Sequence, residues 1–147
     1  MSTLLPLAMV ISSVTEQIVI QHVSELIRPA EVIARITIIS VQDTGANEGY
    51  SKIAFARVTD SIKGPEVGNV IKLENDVADA DCPNVKYAEG EDVLLFAKKM
   101  PNGHYETVYA DAGKFLIEDE NINKRPFRKG QRYISVRARI RREMKRI

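Results

Sequence analysis

One cysteine, no tryptophan and two histidines are all that this 147-residue chain holds of those residue types, and each scarcity excludes something. A lone Cys82 cannot form an intrachain disulfide or a multi-cysteine zinc site. It lies in Asp79-Ala-Asp-Cys-Pro-Asn-Val85, where Asp79 and Asp81 raise a thiol's pKa and so work against an activated nucleophile. His22 and His104 are far apart, and neither has a partner at metal-ligand spacing. The sequence has no glycine-rich phosphate loop, no nucleophile elbow and no His-Glu pairing suited to zinc. Asp76-Val-Ala-Asp-Ala-Asp81 does not keep the alternation of a calcium loop, and with Glu118-Asp-Glu120 it reads as solvated acidic loop. No apolar run is long enough to span a membrane as a helix. These absences predict a chain that is not an enzyme and uses no cofactor or metal.

What is present is one domain's worth of residues with an uneven charge. Residues 1–123 carry 10 Lys/Arg against 19 Asp/Glu, whereas residues 124–147 carry 11 against Glu143 alone; the halves nearly cancel, to +1. Such a basic tail has two readings: it docks on its own acidic body, or it meets an external anionic partner. Arg137, Arg139, Arg141, Arg142, Lys145 and Arg146 are the residues that would make that anion or partner contact.

The body reads as β-structure. Glu31–Val41 is rich in β-branched residues and predicts a long strand. Gln42–Gly49 is turn-like, and Tyr50–Asp60 alternates, with Ile53, Phe55 and Arg57 on one side and Ala54, Ala56 and Val58 on the other. The turn Lys63-Gly-Pro-Glu-Val-Gly68 leads to a short strand, Asn69–Glu74, and then to a polar loop, Asn75–Lys86. Val93–Ala97 is apolar on both faces and predicts a central buried strand. Asn102-Gly103 suits a hairpin turn into a strand over His104–Tyr109, and Gly113–Ile117 adds another. Ser24 is a fair N-cap for one helical turn that Pro29 would stop. The last segment fits both periods. Ile134, Val136, Ala138 and Ile140 alternate as in a strand, but Tyr133, Val136, Ile140, Met144 and Ile147 keep helical steps to the end, which predicts a helix. The expected fold is mainly β: five to six short antiparallel strands in a small barrel or sandwich, with a short amino-terminal helical turn and a carboxy-terminal helix.

The set Ala30–Ile36, Ile62-Lys-Gly64 with Gly68, Cys82, Gly90-Glu-Asp-Val-Leu-Leu-Phe96 and Gly113-Lys-Phe115 resembles the netrin-like module over residues 24–147. That module is shared by the tissue inhibitors of metalloproteinases and many uncharacterised bacterial proteins. The resemblance implies an OB-like five-stranded barrel with flanking helices. The animal inhibitors chelate a protease's zinc with an amino-terminal cysteine held by disulfides; this chain has no cysteine there, and Cys82 is without a partner. Inhibition by that route is not expected, and no functional residue carries over.

Residues 1–14 have two readings: a secretory-signal remnant without the usual positive start, or an ordered strand or flexible end preceding the 15–147 domain. The bacterial members of the module often follow a signal peptide, which favours export to the periplasm or exterior, with the cytoplasm as the alternative. The expected function is binding of another protein or a surface component. The alternative is nucleic-acid binding through the basic tail. It has few aromatics to work with, since Phe55, Phe96, Phe115, Phe127 and five Tyr mostly fall where a core needs them, and an acidic body repels phosphates.

Overall fold

The computed structural model describes residues 20–43, 52–75 and 85–147. Residues 1–14, Cys82 and the aspartates at 76, 79 and 81 lie outside the described residues, as do most of the two loops expected at 42–49 and 75–86.

The elements in chain order are α1 (Ser24–Ile27), β1 (Val32–Asp43), β2 (Lys52–Lys63), β3 (Val70–Asn75), β4 (Asp92–Lys99), β5 (Tyr105–Thr107), a 3-10 turn (Ala110–Gly113), β6 (Lys114–Glu118), β7 (Asn121–Ile122), β8 (Gln131–Arg132) and α2 (Tyr133–Arg146). Five strands close a barrel in the cycle β1-β2-β3-β5-β4-β1. Closure is possible because β1 pairs with β2 on one side and β4 on the other. Three register shifts along β1 against β2 bend and twist it enough to serve both neighbours. The expectation of a barrel holds, with two refinements. The closing pair β3–β5 is parallel, and three short strands, β6 to β8, continue beyond the barrel.

Two cores follow from strand alternation. Val32, Ala34, Ile36 and Ile38 of β1, Ala54, Ala56 and Val58 of β2, and Val93, Leu95 and Ala97 of β4 fill the barrel. The opposite face of β4, Leu94 and Phe96, joins Ile33, Phe115, Ile122 and Phe127 in a second layer outside it. Both faces of β4 are therefore buried, as its unbroken apolar run predicts. The carboxy-terminal ambiguity resolves as a helix, because only helical spacing brings Tyr133, Val136 and Ile140 together onto the second layer, against Val23, Leu26 and Ile27 of the α1 region. Met144 packs at the edge of that stripe, whereas Ile147 is exposed and lies beyond it.

Two local readings are corrected. Ser24 is the first helical residue rather than the N-cap; Val23 precedes it without a side-chain cap. The strand expected to reach Tyr109 ends at Thr107, because Tyr109 and Ala110 turn to positive φ and the chain enters the 3-10 turn. That turn is packed so tightly that Gly113 has no room for a side chain. An added Cβ would lie 2.6 Å from the Val108 carbonyl oxygen and 2.8 Å from that of Phe96. Gly113→Ala is expected to cost about 2–3 kcal/mol through forced backbone movement. Differential scanning calorimetry should read this as a Tm drop of roughly 5–10 °C.

Candidate functional site

The apolar stripe of α2 sets where its cations go. With Tyr133, Val136 and Ile140 buried, Arg141, Arg142, Lys145 and Arg146 stand exposed and Arg137 and Arg139 are half-buried. The six basic residues picked out from the sequence thus share one helix but not one role. Arg137 donates from Nη1 to Asp60 Oδ2 at 3.0 Å, so it ties the helix to β2. Arg139 sits over the Phe127 ring, 5.8 Å from its centroid. Arg146 pairs within the helix with Glu143 at 3.2 Å, an exposed contact of little energetic weight. Arg141, Arg142 and Lys145 have no ion-pair partner among the described residues.

Beside the helix lies a shallow groove of about 450 Å³ between α2, β1, β2 and the β6–β7 turn, lined among others by Arg35, Asp60, Asp92, Glu120, Tyr133 and Arg137. Arg35 points outward from β1 next to the helix because its neighbours Ala34 and Ile36 point into the barrel. Its guanidinium meets two carboxylates in fork geometry: Nε and Nη2 donate to Asp92 at 2.9 and 2.6 Å, and Nη1 and Nη2 to Glu120 at 2.9 and 2.5 Å. It also lies 4.8 Å from the centroid of the Tyr133 ring. Glu120 reaches it from a turn in which Asp119 and Glu120 both take positive φ, 52° and 62°, the backbone of a tight two-residue hairpin. Tyr133 in turn donates its hydroxyl proton to Asp60 Oδ2 at 2.6 Å. One network therefore joins β1, β2, β4, the β6–β7 turn and α2.

Its electrostatics are those of mutual neutralisation. The hydrogen bonds that Arg35 donates to Asp92 and Glu120 raise its already high pKa against the opposing effect of burial. Burial works against the Asp60 carboxylate, but the Tyr133 and Arg137 hydrogen bonds and the charges of Arg137 and Arg141 outweigh it and hold its pKa below 3.8. The Arg35 hydrogen bonds hold Glu120 below 4.5. Burial, aided by Asp60, pushes the Tyr133 hydroxyl up, so it keeps its proton. Because both carboxylate values are depressed on folding, the stabilisation is full above 4.5 and is lost as pH falls through the folded values. Thermal unfolding monitored against pH should show Tm falling below about pH 4. Asp60→Asn should flatten that slope and cost about 1–2 kcal/mol at neutral pH.

None of Arg35, Asp60, Asp92 or Tyr133 was singled out as a site residue from sequence. A signal existed: Arg35 is an isolated cation inside the β-branched run of β1. Glu118, Asp119 and Glu120 are all exposed, as the solvated reading expects, and Glu120 in addition pairs with Arg35. A second cation, Lys114 of β6, is buried: it pairs with Glu91 at 2.9 Å, donates to the Lys86 carbonyl and lies 4.7 Å from the Tyr87 ring centroid. Among the described residues no cluster of His, Cys, Asp and Glu is arranged to hold a metal ion. No helix among them is long and apolar enough to cross a membrane. The site and fold together define a closed five-stranded barrel with a clamped basic helix. No family model, curated protein or solved structure matches the chain.

Proposed function

We propose that this chain is a non-enzymatic binding module, an OB-type barrel of netrin-like build, that recognises an anionic surface on another protein through α2. The observation that carries this is the division of labour on the helix: one stripe and Arg137 anchor it, while Arg141, Arg142 and Lys145 stand exposed with no ion-pair partner among the described residues, Arg141 acting on Asp60 only through its charge. A closed five-stranded barrel with a helix near each end supports the OB-type and netrin-like reading. Export belongs to the same reading and rests on the apolar amino end. Intact-mass measurement of the protein from its native host should find about the first 14 residues removed; the full chain would contradict export.

A second reading, nucleic-acid binding, has one observation in its favour. Phe55 is half-exposed on the outer face of β2, with Lys72 Nζ 5.8 Å from its ring centroid and Arg57 beside it, on the face where OB-type barrels stack bases. Chromatography separates the two. Retention on immobilised poly-glutamate, lost as salt rises, with weak or no retention on a single-stranded oligothymidylate, is expected. Stronger retention on the oligonucleotide, abolished by Phe55→Ala, would replace the first reading with the second.

A further inference from the structure

The barrel is closed between β3 and β5 at a single point. Leu73 pairs with Tyr105 in parallel, and β5 is only three residues long. Toward its amino end β3 diverges from β5. Asn69, Val70, Ile71 and Lys72 then form one wall of an open groove of about 450 Å³, and Asn102, Gly103, His104 and Tyr105 form the other, with Pro65 and Lys99 completing it. The ladder on the far side of β3 decides which peptide groups face this groove. Val58 N–H donates to the Asn69 carbonyl at 2.9 Å, so Asn69 faces β2. Alternation along an antiparallel strand then turns the main-chain groups of Val70 and Lys72 the other way. Because Leu73–Tyr105 is the one pairing of β3 with β5 among the described residues, the N–H groups of Val70 and Lys72 are left facing the groove.

An open strand edge is a template for another extended chain. Charge restricts the occupant of this one. Among the described residues, Lys72 and Lys99 line the groove together with His104, and no carboxylate lines it. Glu74, at the closed end, is engaged by Asn102 Nδ2 at 3.3 Å and faces His104 Nδ1 at 3.8 Å. A cationic edge repels its own copy, which is how native sheets avoid edge-to-edge pairing, and so it selects a partner of opposite sign. Val67 and Val70, 63% and 47% exposed, offer apolar contact at the open end. The geometry points to this groove as a β-augmentation site for an extended acidic segment of a partner protein, laid along the β3 edge with its carboxylates toward Lys72 and Lys99. The site is independent of α2. About three residues of partner strand fit, roughly 10 Å of chain, so a single segment binds weakly and gains strength as part of a larger contact.

The test is a titration of the full chain, followed by amide chemical shifts, with a blocked hexapeptide of alternating glutamate and valine. A lysine–valine hexapeptide serves as control. Saturable shifts centred on Val70, Lys72 and Tyr105 are expected for the acidic peptide only, with slowed exchange of the Val70 and Lys72 amides. Lys72→Glu should weaken binding about fivefold or more at unchanged Tm, and Val70→Pro, which removes the groove-facing N–H, should weaken it similarly. If the proline variant does not fold, Lys72→Glu decides alone. Charge reversal of Arg141 and Arg142 should leave this binding intact, which separates it from the helix site. Absence of saturable shifts at millimolar peptide, equal binding of the lysine control, shifts confined to α2, or groove shifts produced by an oligothymidylate or by protein concentration alone would each overturn the proposal.

Discussion

Truncation after Gly130 is expected to abolish cooperative thermal unfolding. The removed segment carries Tyr133, Val136 and Ile140, which are 5%, 0% and 0% exposed. Burial of three such side chains is worth about 6 kcal/mol. Their loss also uncovers Val23, Leu26 and Ile27, which share the layer. A domain of this size is stable by only about 5–15 kcal/mol in all. The Arg35–Tyr133 contact and the Tyr133–Asp60 hydrogen bond go as well. Calorimetry should show a broad or absent transition, and a dye that reports exposed apolar surface should bind. A truncated chain that melts at the full-length midpoint would mean that the helix is not part of the packed structure.

Phe115→Ala is expected to be the most damaging single substitution considered. Phe115 is fully buried between two other rings, 5.7 Å from Phe96 and 5.1 Å from Phe127 between centroids, both in edge-on geometry. Lys124 lies over the same ring at 5.1 Å, its ammonium held by the Asp111 and Lys114 carbonyls and its pKa lowered mainly by burial. Truncation would leave a cavity facing both rings and the strand that joins the barrel to its outer layer. The cost is about 3–5 kcal/mol, or a Tm drop on the order of 10–15 °C. Phe55→Ala, on the half-exposed outer face of β2, is the control and should cost less than about 1.5 kcal/mol. Equal losses for the two would contradict the division between a packed layer and an outer face.

The strands were legible because their signals are local. The β-branched run of β1, the alternation of β2 and the two-sided apolar run of β4 each give their own burial pattern. The helix was legible because its period of three and four persists to the carboxy terminus. The Arg35 network was not, because it depends on which strands become neighbours. Arg35 and Asp60 are paired by the β1–β2 register, and Glu120 arrives from a hairpin far along the chain. Sequence spacing carries no trace of that convergence. The basic residues of the tail were visible, but their unequal roles were not. Arg137 is an anchor and Arg141 and Arg142 are outward only because Tyr133, Val136 and Ile140 fix the helix's rotation. The open β3 edge was equally hidden, since it follows from where β3 and β5 part rather than from any residue type.

The most direct test of the central claim, that α2 is anchored by one stripe and presents its remaining cations outward, is a paired measurement on Arg141→Glu/Arg142→Glu/Lys145→Glu. Tm and salt-dependent retention on poly-glutamate are read on the same sample. The claim predicts a Tm within about 2–3 °C of the parent, as befits exposed charges, and retention that falls to no more than the weak binding of the β3 groove. A Tm drop of 10 °C or more would mean that these cations hold the helix to its own acidic body, and undiminished retention would mean that the anionic partner binds elsewhere.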